Sequence, residues 1–154
     1  MELDNLDIQI LSALLQRGRI TWSELAQQLS LSAPATADRV KRLEERGVIE
    51  GYSARLNAEA LGLELTAFIA VSLDHPRHRN GFLAQVSDST EVLECHHVTG
   101  DDDYLLKVRC RNTKALEGLI SNRLKSIPGL VKTRTLIVLS TVKETQGPPL
   151  GKGE

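Results

Sequence analysis

"TWSELAQQLSLSAPATADRVKRLEERG", residues 21–47, decides how this chain is read. Thr21 followed by Glu24 is a capping box: the threonine oxygen accepts from the third amide of a new helix while the glutamate reaches back to the cap amide. Leu25, Ala26 and Leu29 then recur at helical spacing. The run breaks at Ser30-Leu31, and Ser32 can cap a second helix whose first turn holds Pro34, a residue tolerated only there. Helix, short turn, helix is the geometry of a DNA-reading pair, with small Ala26 where the two axes approach. With Val40 taken as inward and a step of about 100° per residue, Thr36, Ala37 and Leu43 also turn inward. Pro34, Ala35, Asp38 and Arg42 point away, and Arg39 and Lys41 lie on the flanks. Exposed Arg, Lys and Asp around the front half of such a helix reach phosphates, guanine edges and cytosine amines. The candidate DNA contacts are therefore Ser32, Pro34, Ala35, Asp38, Arg39, Lys41 and Arg42. After them "ERGVIEGYSARL" (45–56) supplies Gly47 as a helix stop and two short strand-like runs that resemble a wing.

Composition bounds what else the chain can be. Its 154 residues, 41% hydrophobic, suffice for one ordinary domain or two small ones. An acidic N-terminus and the lack of any run of about 18 apolar residues point to a soluble, cytoplasmic protein with no membrane partner. Two cysteines make neither a disulfide framework nor a four-thiolate zinc site. Net charge is −1, and residues 1–56 hold seven Lys or Arg against eight acids, so any nucleic-acid contact must come from a local patch.

Past residue 62 the pattern changes. "LELTAFIAVSLD" (63–74) is β-branched and apolar, "NGFLAQVSD" (80–88) is helical, "EVLECHHVT" (91–99) is strand-like, and "YLLKVRC" (104–110) follows. "NTKALEGLISNRLKSI" sets Leu116, Leu119, Ile120 and Leu124 along one helix face, Pro128-Gly129 ends it, and "LVKTRTLIVLSTVKE" reads as a long last strand. The order β-α-β-β-α-β is that of a ferredoxin-like sandwich. The expected fold is α+β: a winged helix-turn-helix domain (1–52), a linker (53–62), a ferredoxin-like βαββαβ domain (63–145) and a disordered tail (146–154) with nothing to pack.

"VTGDDDYLL" (98–106) puts three carboxylates in a row after Cys95-His96-His97. A calcium loop would need spaced ligands and a distal Glu, which are absent. A solvated hairpin turn is one reading. The other is a ligand loop, in which Gly100 admits close approach, exposed amides take a carboxylate and an Asp takes an ammonium, as a free amino acid requires. With the turn centred between Asp102 and Asp103, Cys95 lies opposite Cys110, and with His97 these form a zinc or redox pair, or simply two buried thiols.

"LDIQILSALLQRGRITWSELAQQLSLS", "RVKRLEERGVIEGY" and "HVTGDDDYLLKV" together resemble the Lrp/AsnC family of bacterial and archaeal transcription regulators, over about Leu3 to Lys143. The resemblance implies DNA-binding dimers that assemble into octamers or similar rings, steered by a small amino-acid effector. It carries an effector role to Thr99, Gly100, Asp101 and Asp103, and to Thr133 and Thr135 on the last strand. Two departures stand out: Ser30 where glycine often sits in the turn, and Thr36 where an aliphatic residue is usual. A sheet ordered 4-1-3-2 holds the 98–103 loop and the last strand roughly 10 to 15 Å apart, so a pocket using both sets is expected between subunits. The first strand, with more apolar side chains than one face needs, is the expected dimer element. No catalytic residue, metal or cofactor is expected, since Gly-rich phosphate loops and nucleophile–base spacings are missing. The alternative is an effector-sensing assembly protein, or a regulatory subunit of an amino-acid enzyme, without DNA binding.

Overall fold

The computed structural model describes residues 3–145 and 147–151. The chain divides into two compact units: one runs to Arg55 and takes in the segment from Lys143 onward, and the other is Leu56–Val142. No described helix is long and apolar enough to cross a membrane.

The first unit is built from α1 (Asn5–Gln16), α2 (Trp22–Leu29) and α3 (Ala33–Glu45). Each opens on a side-chain cap that satisfies free amides of the first turn. Asp4 and Asp7 exchange bonds at the start of α1, Thr21 and Glu24 do so at α2, and the Ser32 hydroxyl accepts from the Ala35 amide at 3.3 Å. Ser30 closes α2 in the left-handed region (φ 55°), a conformation that costs a non-glycine residue about 1 kcal/mol. Gly47 (φ 69°) ends α3, where the Val48 and Gly47 amides donate to the Leu43 and Glu44 carbonyls, each at 2.9 Å. Ile10, Leu11, Ile20, Leu25, Val40 and Leu43 make the core, with Val48 and Ile49 packed on it.

Two expectations change here. The wing has no strand ladder among the described residues: Val48 and Ile49 turn into the core, and residues 50–57 are exposed without regular structure, because a lone run has no partner to pair with. The tail is not free of contacts: Leu150 packs against the helical core and Gly147 lies against Leu15. The remainder of that predicted disordered segment, residues 146 and 152–154, lies outside the described residues.

The second unit holds β1 (Leu65–Leu73), α4 (Arg79–Ser87), β2 (Val92–His97), β3 (Tyr104–Cys110), α5 (Thr113–Gly118) and β4 (Leu130–Ile137). The helical path continues past α5 through a widened turn, Leu119–Arg123, and a tight one, Leu124–Ser126. The antiparallel sheet has the order β2-β3-β1-β4. Alternation along β1 and β3 sends Ala67, Ile69, Val71, Tyr104, Leu106 and Val108 to one face, where Phe82, Val86, Leu116, Leu119 and Leu124 cover them. β4 stops at Ile137, seven residues short of the expected run, because its partner is exhausted: Ala67 pairs with Ile137, and the last bond is Val138 amide to Thr66 carbonyl.

The β2–β3 turn also differs from expectation. His97 pairs with Tyr104 and the Val98 amide donates to the Asp103 carbonyl at 3.0 Å, so the turn is centred between Gly100 and Asp101. Cys95 therefore faces Leu106, while Cys110 faces Leu65. The cross-strand cysteine pair is ruled out by register, and burial pushes both thiols up. His97 stacks on Tyr104 at 5.0 Å between ring centroids.

Candidate functional site

The outward row of α3 is one candidate surface. Thr36, Val40 and Leu43 are buried, which fixes the inner face and leaves Ser32, Pro34, Ala35, Asp38, Lys41 and Arg42 exposed. Asp38 and Arg42 pair along the helix at 3.2 Å and Lys41 pairs with Glu45 at 3.6 Å; such exposed i,i+4 pairs are weak and open readily to a competing anion. Thr36, the polar departure, donates its hydroxyl to the Ser32 carbonyl at 3.0 Å.

Arg39 is the exception. Its guanidinium turns sideways to α1 and donates to Asp4 at 2.7 Å and Asp7 at 2.9 Å, so it does not stand on the outward row with Arg42. The Asp7 amide and then Arg39 hold the Asp4 carboxyl below its usual range. Helical stepping placed Arg39 on a flank correctly, but which neighbour that flank meets depends on how α1 crosses α3. Arg46, at the end of α3, is exposed and lines a cavity of about 270 Å³ with Asp4, Asp7, Arg39, Arg42 and Leu43. It follows Arg42 by one helical turn, a spacing that could have flagged it. Behind α3, Tyr52 donates to Glu44 at 2.7 Å, and desolvation, then that carboxylate, pushes its hydroxyl up to about 12.

The second surface is the 98–103 turn. Thr99, Gly100 and Asp101 are exposed, with Gly100 at φ 113°. Asp103 is half-buried and anchors the turn: its Oδ2 accepts from the Leu73 amide at 2.7 Å and its own amide donates to the Val71 carbonyl at 2.9 Å. Asp102, which the sequence did not single out, reaches over the end of β1. It accepts from Ser72 at 3.1 Å and from Arg134 at 2.9 Å, with Lys132 at 3.9 Å, and Arg134 holds its carboxyl below the usual range. The turn and β4 thus meet within one chain through long side chains, contrary to the expected separation. Thr133 and Thr135 lie elsewhere: they pair with Val71 and Ile69, so they share the helix-covered face, opposite Arg134. Asp102 and Arg134 thus meet on the face opposite Thr133 and Thr135.

With this geometry in hand, comparison with known proteins is informative. Residues 3–50 match the winged helix-turn-helix DNA-binding family and residues 66–148 match the Lrp/AsnC ligand binding domain. The Bkd operon transcriptional regulator of Pseudomonas aeruginosa is 38% identical over 97% of this chain and 99% of its own. Among solved structures, a transcriptional regulator from Neisseria meningitidis in complex with L-methionine superposes with a TM-score of 0.94 at 36% identity, covering 97% of each chain. A feast or famine regulatory protein from M. tuberculosis, complexed with L-methionine, gives 0.87 at 38% identity over 96% of this chain and 99% of that one.

Proposed function

Because the chain belongs to the Lrp/AsnC family of transcription regulators, we propose that it works as a dimer that sets two copies of α3 in successive major grooves of a pseudo-palindromic site. Assembly of these dimers into octamers or similar rings is tuned by a small amino acid. The observation that carries the DNA reading is the outward row of α3, where Ser32, Pro34, Ala35, Asp38, Lys41 and Arg42 are exposed while the opposite face is locked into the core. Lys41 and Arg42 supply phosphate or base contacts. Two half-sites and several dimers add avidity to a unit whose overall charge gives little attraction.

The amino-acid reading rests on the exposed turn Thr99-Gly100-Asp101, and on relatives whose complexes hold L-methionine. Thr133 and Thr135 face away from Asp102, so a pocket that uses them together with the turn takes its two halves from different subunits. Effector and assembly are then linked by mass action. β1 is paired on both edges, so a dimer uses the uncovered sheet face, where Phe68, Leu105 and Leu136 sit, and not strand addition. The rival, a regulatory subunit of an amino-acid enzyme, has no use for the helix pair, and the curated relatives are regulators.

Gel shift with fragments from upstream of its own gene tests the first half. Arg42→Ala should weaken binding with the fold intact and flatten the slope of log affinity against log salt by about 1.8 per bound dimer, the share of one phosphate contact from each α3; full affinity would refute the helix assignment. A thermal-shift screen of the twenty amino acids tests the second half, since a ligand at 100 times its Kd stabilises by about 2.7 kcal/mol. Asp101→Asn, which leaves the bonds to β1 untouched, should reduce that shift; a flat screen would remove the effector reading.

A further inference from the structure

Arg39 turns sideways on α3. Its Nη1 is shared between Asp4 Oδ2 and Asp7 Oδ1, its side chain is 24% exposed, and that of Asp7 is 11% exposed. Asp4 and Asp7 are the capping pair of α1 and already exchange backbone bonds. One guanidinium therefore ties the start of α1 to the middle of α3. We propose that Arg39 is a positioning residue for DNA reading: it sets the roll of α3 and does not itself touch DNA. This rests on α3 being the reading helix.

The inner contacts of α3, Thr36, Val40 and Leu43, form a single ridge, and a ridge in a groove resists sliding better than it resists rocking. A roll of about 20° moves a side-chain tip about 6 Å from the axis by about 2 Å, more than a hydrogen bond to a base edge tolerates. A lateral tie on the flank blocks that roll. The same tie offsets one of the two carboxylate charges beside Arg42 and Arg46, which line one cavity with Arg39. A lysine in its place ends one bond short of that nitrogen, so its ammonium meets the two acids less well.

The test compares Arg39→Gln with Arg42→Gln in the full chain, on the upstream fragment and on a scrambled fragment, across a salt series. Arg39→Gln should lower affinity for the specific fragment about tenfold, within the range of one mismatched base pair, leave the scrambled fragment near the wild-type value, and keep the wild-type salt slope. Arg42→Gln should instead flatten the slope by about 1.8 per bound dimer and weaken both fragments alike. Arg39→Lys should fall between wild type and Arg39→Gln on the specific fragment, and carries the comparison if the glutamine variant does not fold. A slope loss of about 1.8 per bound dimer with both fragments weakened equally would make Arg39 a phosphate contact; unchanged specific affinity would make it dispensable. Either result overturns the assignment. Failure of the wild-type chain to bind any fragment strikes the DNA reading instead, and so is told apart.

Discussion

Thr36→Val should leave the stability of the helical unit nearly unchanged, although it removes a buried hydrogen bond. Thr36 is fully buried, and its hydroxyl donates to the Ser32 carbonyl at 3.0 Å. The same carbonyl also accepts the Thr36 amide at 3.0 Å, so nothing is orphaned when the hydroxyl goes. The loss is one net hydrogen bond, about 0.5–1.5 kcal/mol. That net figure already includes the desolvation of the hydroxyl, so what offsets it is the newly buried methyl, about 0.8 kcal/mol. The two nearly cancel, to within about 0.7 kcal/mol, and exchanging one β-branched side chain for another leaves the helix penalty nearly unchanged. The single tryptophan, Trp22, lies in α2, so its fluorescence follows this unit alone during unfolding. A difference that small should move the thermal midpoint by less than about 6 °C, since 1 kcal/mol is worth about 4–8 °C in a domain this small. Thr36→Ser, which keeps the hydroxyl and loses the methyl, should lower it. A valine variant far below wild type with a serine variant near it would refute the reasoning, since the hydroxyl bond would then outweigh the methyl.

Gly129→Ala should destabilise the sheet unit severely, because φ is 83° and a Cβ would fall 1.9 Å from His78 Nδ1. The backbone part is about 1–2 kcal/mol, so most of the loss measured by urea unfolding should be relieved in a His78→Gly background, whereas His78→Ala keeps a Cβ that lies 2.5 Å from the new atom. Leu150→Ser should lower the Trp22-monitored midpoint, by about 1 kcal/mol for a half-buried leucine, while the sheet unit, followed by far-UV circular dichroism, keeps its own. Acid should weaken both units: Asp4 is held low by the Asp7 amide and Arg39, Asp74 by His78 and Asp102 by Arg134. Because these folded-state values are depressed, their stabilisation is complete above about pH 4 and is lost as pH falls through the lower folded values. A stability profile that stays flat from pH 5 to pH 2.5, at about constant ionic strength, would contradict these pairs.

Much of the first unit was legible because each boundary carried its own local chemistry. Thr21 with Glu24, Ser32 with Pro34, and Gly47 are signals whose partners lie within a few residues, and all three form as expected. The βαββαβ order was legible for a similar reason, since period and punctuation are local. Arg39 was not: α1 meets α3 across more than thirty residues, and spacing along α3 cannot say that two acids wait on that flank. Leu150 was missed because a Pro- and Gly-rich tail looks unpackable until the groove that receives it exists.

The three acids at 101–103 show a different failure, one of geometry. Neighbouring carboxylates look alike to any local rule, and strand order alone puts the turn two strands from β4, about 10 Å away. Backbone spacing left out the reach of side chains: Arg134 and Asp102 each extend toward the other over Ser72 and close that distance to 2.9 Å. What does separate Thr133 and Thr135 from the turn is parity. Direct pairing with Val71 and Ile69 commits both threonines to the helix-covered side, while Arg134, one residue out of phase, takes the other. The case for a pocket shared between subunits therefore rests on the pleat and not on distance: the side chains that close the turn onto β4 leave by one face of the sheet and the two threonines by the other.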